Sequence, residues 1–233
     1  MRLPACYDQN RFLSVILLFL NPGVPGVPIV FRPIKPLTGP LRWITVWGAS
    51  LLLVGCFRAG AQDQFYMLQP IKESQSLPAG ASKGPLVGLG PIKVPAYLDR
   101  PQIVTAASNL EYRLAENQRW AERLDESIAR VSQENLEALI PSDRIVMHPW
   151  SRDIKPDVQV GVQIQEFHLD SSGRARLVAL WTLKPAKGDT TNHHFSCSIA
   201  VPPSDFGQIV AAEGDCLARL NREMAQGIRQ LGN

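Results

Sequence analysis

The chain is poor in what most catalytic and metal sites require. It has four cysteines and four histidines in 233 residues. No G-x-S-x-G elbow occurs, and "GLGP" at 88–91 lacks the third glycine and the helix start of a dinucleotide-binding loop, so it reads as a bend in a strand. His193 and His194 are adjacent on a predicted strand and point to opposite faces, while His148 and His168 have no ligand spacing. All four read as surface or packing residues. Carboxylates are scattered singly, with no pair set among apolar residues for acid/base work. Neither a catalytic residue, a metal site nor a cofactor is expected. A clustered basic stripe is also missing, which excludes a nucleic-acid binder. No apolar run reaches the roughly 20 residues that cross a bilayer, and no internal repeat is visible.

What is present begins with "LLLVGC" at 51–56. The stretch from Trp43 to Phe57 is uncharged, Arg42 stands before it, and Gly55 lies directly before Cys56. That is the order of a secretory signal: a positive start, an apolar core, small residues and a cut. The alternatives are a plain signal or anchor helix and a buried core helix. The apolar run is short for a span and gives way to Arg58, Gln62 and Asp63. Leu53-Val54-Gly55-Cys56 resembles the lipobox of bacterial lipoproteins. That resemblance implies a diacylglycerol on the Cys56 thiol, cleavage between Gly55 and Cys56, and acylation of the new amino terminus. Three acyl chains suffice for stable anchoring.

Residues 1–36 contain a second apolar run, "FLSVILLFL" at 12–20, and a proline- and glycine-rich segment that bars regular structure. They are expected to be a spurious or disordered extension, with translation starting near Leu37 or Leu41 and 37–55 as the signal peptide. Loss of residues 1–55 removes five basic residues and one acidic residue, so the net charge moves from +3 to −1. The basic balance thus belongs to the discarded segment. A short lipidated tether (56–64) and one domain (65–233) remain, enough chain to bury its own core.

Along that domain, "DQFYMLQP" (63–70) reads as a strand and 72–84 as an irregular loop. "LVGLGPIKVPAYLDRPQIVT" is β-rich but broken by Pro91, Pro95 and Pro101, the pattern of an edge strand. In "NLEYRLAE" (109–116) Leu110, Tyr112 and Leu114 alternate with polar residues, which predicts a half-buried antiparallel strand. From Arg119 to Pro141 the spacing of Trp120, Leu124, Ile128, Val131 and Leu139 predicts an amphipathic helix. A short strand (143–150), a long hairpin around "DSSG" and the strand "HHFSCSIAV" follow. A last helix starts from Ser204 as its N-cap. The expected fold is α+β, a single two-layer sandwich domain with a mostly antiparallel sheet covered by two main helices. Strand and helix periods aim Cys197 and Cys216 at one layer, where a disulfide or two packed thiols would both fit.

"LGPIKVPAYLDRPQIVT" and "NLEYRLAENQRWAERLDESIARVSQENL" resemble the ABC-type transport auxiliary lipoproteins, over roughly Phe65 to Leu231. The most specific stretches are Pro95 with Tyr97 to Val104, and Arg119 to Glu122. The resemblance implies an outer-membrane lipoprotein, lipid-anchored with its domain in the periplasm. It implies an adaptor without catalysis that works with an MCE-domain periplasmic protein forming a lipid tunnel and with an inner-membrane transport component. Phe57 after the cysteine, in place of aspartate, permits sorting to the outer membrane. The candidate partner interface is Pro95, Tyr97, Asp99, Arg100 and Arg119, of which Pro95, Tyr97, Asp99 and Arg100 lie in the proline-rich segment, and a sheet edge there offers a route to a homo-oligomeric ring. The alternative function is a structural lipoprotein that braces another envelope assembly.

Overall fold

The computed structural model describes residues 62–71, 84–140, 142 and 144–231. The expected extension, the signal peptide, Gly55 and Cys56 lie outside the described residues. Among the described residues eight strands and two helices follow in order: β1 (Gln64–Tyr66), β2 (Val87–Lys93), β3 (Gln102–Ala106), β4 (Tyr112–Trp120), α1 (Leu124–Leu139), β5 (Ile145–Met147), β6 (Val158–Leu169), β7 (Arg174–Pro185), β8 (Thr191–Ala200) and α2 (Phe206–Leu231).

The α+β class and the two helices agree with expectation, but the sheet is mixed, not mostly antiparallel. β1 pairs with β4, and β2 with both β5 and β6, in parallel. The β3–β4, β6–β7 and β7–β8 pairs are antiparallel. Long β6 organises the sheet. β7 lies along one of its edges, and the other edge is shared end to end by β2, which pairs from Val158 to Gln163, and β3, which touches at Thr105–Leu169.

The proline-rich strand is therefore not at an edge, since β2 lies between β6 and β5. It tolerates Pro91 through a register shift between Leu89 and Ile92. Gly90 sits there at φ +112°, where an added Cβ would meet His148 Cβ at 2.8 Å, so only glycine fits without strain. Gln159 Nε2 donates to the Gly90 carbonyl at 3.0 Å, a side chain in place of a ladder partner. Pro95 and Pro101 fall outside strands altogether.

Periodicity explains the core. Val158, Val160, Val162 and Ile164 of β6 are buried, as are Ala175, Leu177, Ala179, Trp181 and Leu183 of β7. α2 covers that layer, with Trp181 Nε1 donating to Glu223 at 3.2 Å. Cys197 on β8 and Cys216 on α2 are bonded, with Cα atoms 5.5 Å apart. α1 is shorter than predicted, because Trp120 closes β4 instead of opening the helix. Ser127, Ser132 and Asn135 join its buried stripe, and Asn135 Oδ1 accepts from the Ile71 amide. The cap of α2 is Asp205, whose carboxylate accepts from the Gln208 amide at 3.0 Å, not Ser204.

Candidate docking turn and hairpin tip

The turn between β2 and β3 closes through the Leu98 amide on the Pro95 carbonyl at 2.9 Å and the Arg100 amide on Leu98 at 2.8 Å. Leu98 is driven into the core, and this splits its neighbours by role. Asp99 pairs with Arg123 at 3.2 Å. Arg119, on β4, pairs with Asp63 at 3.1 Å and so fastens the chain just before β1. Arg100 is exposed and makes no ion pair with a described residue. Of the residues singled out from sequence, Arg100 is the one whose charge is offered outward, whereas Asp99 and Arg119 have internal partners.

Tyr97 is held from three sides. Its hydroxyl donates to the Gln165 carbonyl at 3.1 Å and stands 3.4 Å from His168 Nδ1. Its ring packs at 4.9 Å on Tyr112, and Tyr112 meets the edge of His168 at 5.2 Å. Burial, with Tyr112 and Glu166 nearby, pushes the Tyr97 phenol upward, so it stays protonated. Burial also pulls the His168 imidazole below its ordinary value, against the opposing pull of Glu166 and Asp170. Both groups are neutral near pH 7. Arg176 is paired with Glu166 beside them. A polar cleft of about 410 Å³ opens here, lined by Tyr112, Glu166, His168, Asp170 and Arg176 among others. Sequence reasoning missed Tyr112 and His168 as partners of Tyr97, because the contact joins residues far apart in the chain.

The strand reading of 109–116 needs correction in one respect. Leu110, Tyr112 and Leu114 do not form a half-buried face: they are 96%, 45% and 38% exposed. The turn from 107 to 111 that carries Leu110 is well braced. The Ala107 amide donates to the Glu111 carbonyl at 2.8 Å, and Ser108 Oγ accepts from the amides of Leu110 and Glu111 at 3.2 and 3.1 Å.

His193 stacks on Trp181 at 4.0 Å and His148 meets Trp150 edge-on at 5.4 Å, so both take packing roles. Among the described residues no helix is long and apolar enough to cross a membrane.

Comparison with known proteins gives this architecture a context. Residues 66–225 match the family described as the ABC-type transport auxiliary lipoprotein component. The chain belongs to that family. Two relatives, each an intermembrane transport lipoprotein PqiC, from Escherichia coli (strain K12) and from Shigella flexneri, are 25% identical over 190 residues, covering 82% of this chain and 98% of theirs. The fold is shared with a solved uncharacterized protein at TM-score 0.60 and 20% identity, covering 72% of this chain and 99% of that one. A solved Xanthomonas campestris protein has TM-score 0.58 at 13% identity, covering 70% of this chain and 92% of its own. The match runs from the last residue of β1 through the rest of the sheet and most of α2.

Proposed function

We propose that this lipoprotein is an adaptor of an envelope lipid transport system, anchored to the outer membrane through acylated Cys56 with its domain in the periplasm. It docks an MCE-domain periplasmic tunnel protein, which connects it to an inner-membrane transport component, and performs no catalysis of its own. The observation that carries this reading is the family match over residues 66–225. The docking surface is the turn from Pro95 to Arg100, because Arg100 presents an unpaired guanidinium on a rigid support and arginine is favoured at interface centres. The edge of β2 has no part in it. Among the described strands β8 is paired on one side only, which leaves an edge through which copies could close into a ring.

The test is crosslinking in intact envelopes followed by purification of the tagged chain. Recovery of an MCE-domain protein, together with an acylated Cys56 peptide by mass spectrometry, is the expected result. A Cys56→Ala chain should leave the membrane fraction. Absence of any MCE partner would transfer the protein to a structural bracing role.

A further inference from the structure

The β3–β4 hairpin ends in an apolar tip whose apex the fold itself does not use, while one face of Tyr112 packs on Tyr97 and the other part of its side chain stays exposed. Leu110 is 96% exposed at its apex, and Tyr112 and Leu114 continue the same apolar side. A solvent-exposed leucine on a loose loop would be unremarkable. Here the turn is braced through Ser108, so the chain holds Leu110 outward in a fixed position.

The direction of β1 adds a second observation. β1 runs parallel to β4, with Gln64 opposite Gln118, so the backbone reaches Gln64 from the side of the hairpin tip. Cys56 lies eight positions before Gln64, and Leu110 lies eight positions before Gln118. Each distance spans at most about 28 Å when extended. The segment before β1 is therefore long enough to set Cys56 level with Leu110.

We infer that the Leu110–Tyr112–Leu114 tip is a membrane-contact element, seated in the outer part of the bilayer that holds the Cys56 anchor. The inference rests on the acylation of Cys56 in the proposed function. Three side chains make too small a patch for a stable protein interface, which buries on the order of 800 Å² per partner. They suit shallow insertion beside an existing anchor, where each buried side chain adds to acyl-chain affinity. A tyrosine with a polar hydroxyl and an apolar ring fits the headgroup boundary. Glu111 and Arg113 form an ion pair on the opposite side of β4, and Asp170 lies in the β6–β7 turn at the same end. The local charge is mixed, so the contact is apolar in origin and indifferent to anionic lipid.

The test uses the acylated chain in vesicles of phosphatidylethanolamine, with or without phosphatidylglycerol. An environment-sensitive fluorophore is attached at Asn109→Cys, next to the tip, or at Lys187→Cys, in the β7–β8 turn at the other end of the sheet. Nitroxide-labelled lipid should quench the probe at 109 strongly in both vesicle types and leave the probe at 187 unaffected. Adding Leu110→Ser should cut the quenching at 109 severalfold while the melting temperature is unchanged, since Leu110 packs on nothing. An acylated, vesicle-bound chain whose probe at 109 is unquenched overturns this inference alone. Quenching that survives Leu110→Ser also overturns it, as does shielding at 109 that depends on protein concentration without lipid, which would mark a contact between copies. A chain lacking acyl groups on Cys56 overturns both this inference and the anchor reading.

Discussion

The ring of Tyr97 lies 4.9 Å from that of Tyr112, and the two close over His168. This contact ties the turn after β2 to the strand on the far side of β3, so the candidate docking turn and the exposed hairpin share one support. Tyr97→Ala should destabilise the domain by about 3 kcal/mol, in the range for removing a large packed ring. Tyr97→Phe retains the stack and loses the bond to the Gln165 carbonyl with the longer contact to His168 Nδ1, at a cost of about 1 kcal/mol. Urea unfolding of both variants checks the ratio.

Glu213 is buried on α2 with no hydrogen-bond partner for either carboxylate oxygen. Burial raises its pKa from 4.5 to about 8. A carboxyl raised on folding favours the native state below its unfolded pKa, where both states are neutral, and that advantage is lost as pH rises through the folded value. Stability should therefore decline between about pH 4.5 and 8, by at most about 5 kcal/mol. Glu213→Gln should flatten the profile and raise the melting temperature at pH 8. Thermal melts across this range, wild type against variant, are the measurement.

The Cys197–Cys216 bond closes a sequence separation of 19 residues. Restriction of the unfolded chain by a loop of this size contributes about 3 kcal/mol. Reductant, or the Cys197→Ala and Cys216→Ala pair, should lower the denaturant midpoint accordingly. A midpoint unmoved by reductant would show that the two thiols pack without a bond.

Arg100 and Arg119 should respond differently to charge reversal. Arg100→Glu is predicted to weaken recovery of the tunnel partner and leave the melting temperature unchanged. Arg119→Glu would place a carboxylate against Asp63 and release the chain before β1, so it should lower stability by about 1 kcal/mol. If Arg100→Glu also unfolds the domain, its role is structural.

Gly90→Ala should be among the most damaging small substitutions, because it combines a positive φ with a 2.8 Å approach to His148 Cβ. A loss of about 2 kcal/mol or more is expected by chemical denaturation.

Local patterns were legible where one period met one burial environment. The alternation of Val158, Val160, Val162 and Ile164 and the inward aim of Cys197 and Cys216 all follow from periods of 2 and 3.6. Pairing direction was not legible, because parallel and antiparallel strands share the same alternation. The prolines carry an edge signal, yet a glycine bulge and a glutamine side chain let β2 sit inside the sheet. Alternation in β4 identified an apolar face but not whether anything covers it. Glu213 lay in plain view, one acidic residue within the apolar stripe of α2, but a single carboxylate has no period of its own. Tyr97 with His168 depended on contacts 71 residues apart, which no local window contains.

The three-residue β1 has a mechanical consequence. If the chain is held through Cys56 and docked to a partner, as proposed, tension between the two enters the sheet at Gln64. β1 lies parallel to β4, so a pull directed along the strands runs across its hydrogen bonds and loads them together in shear. A peeled hairpin would instead break them one at a time. Asp63 and Arg119 stand at the point of entry and take the first strain. Under that proposed anchoring, a short strand at this position acts as a shear clamp, through which force on the tether passes into β4 and the sheet behind it.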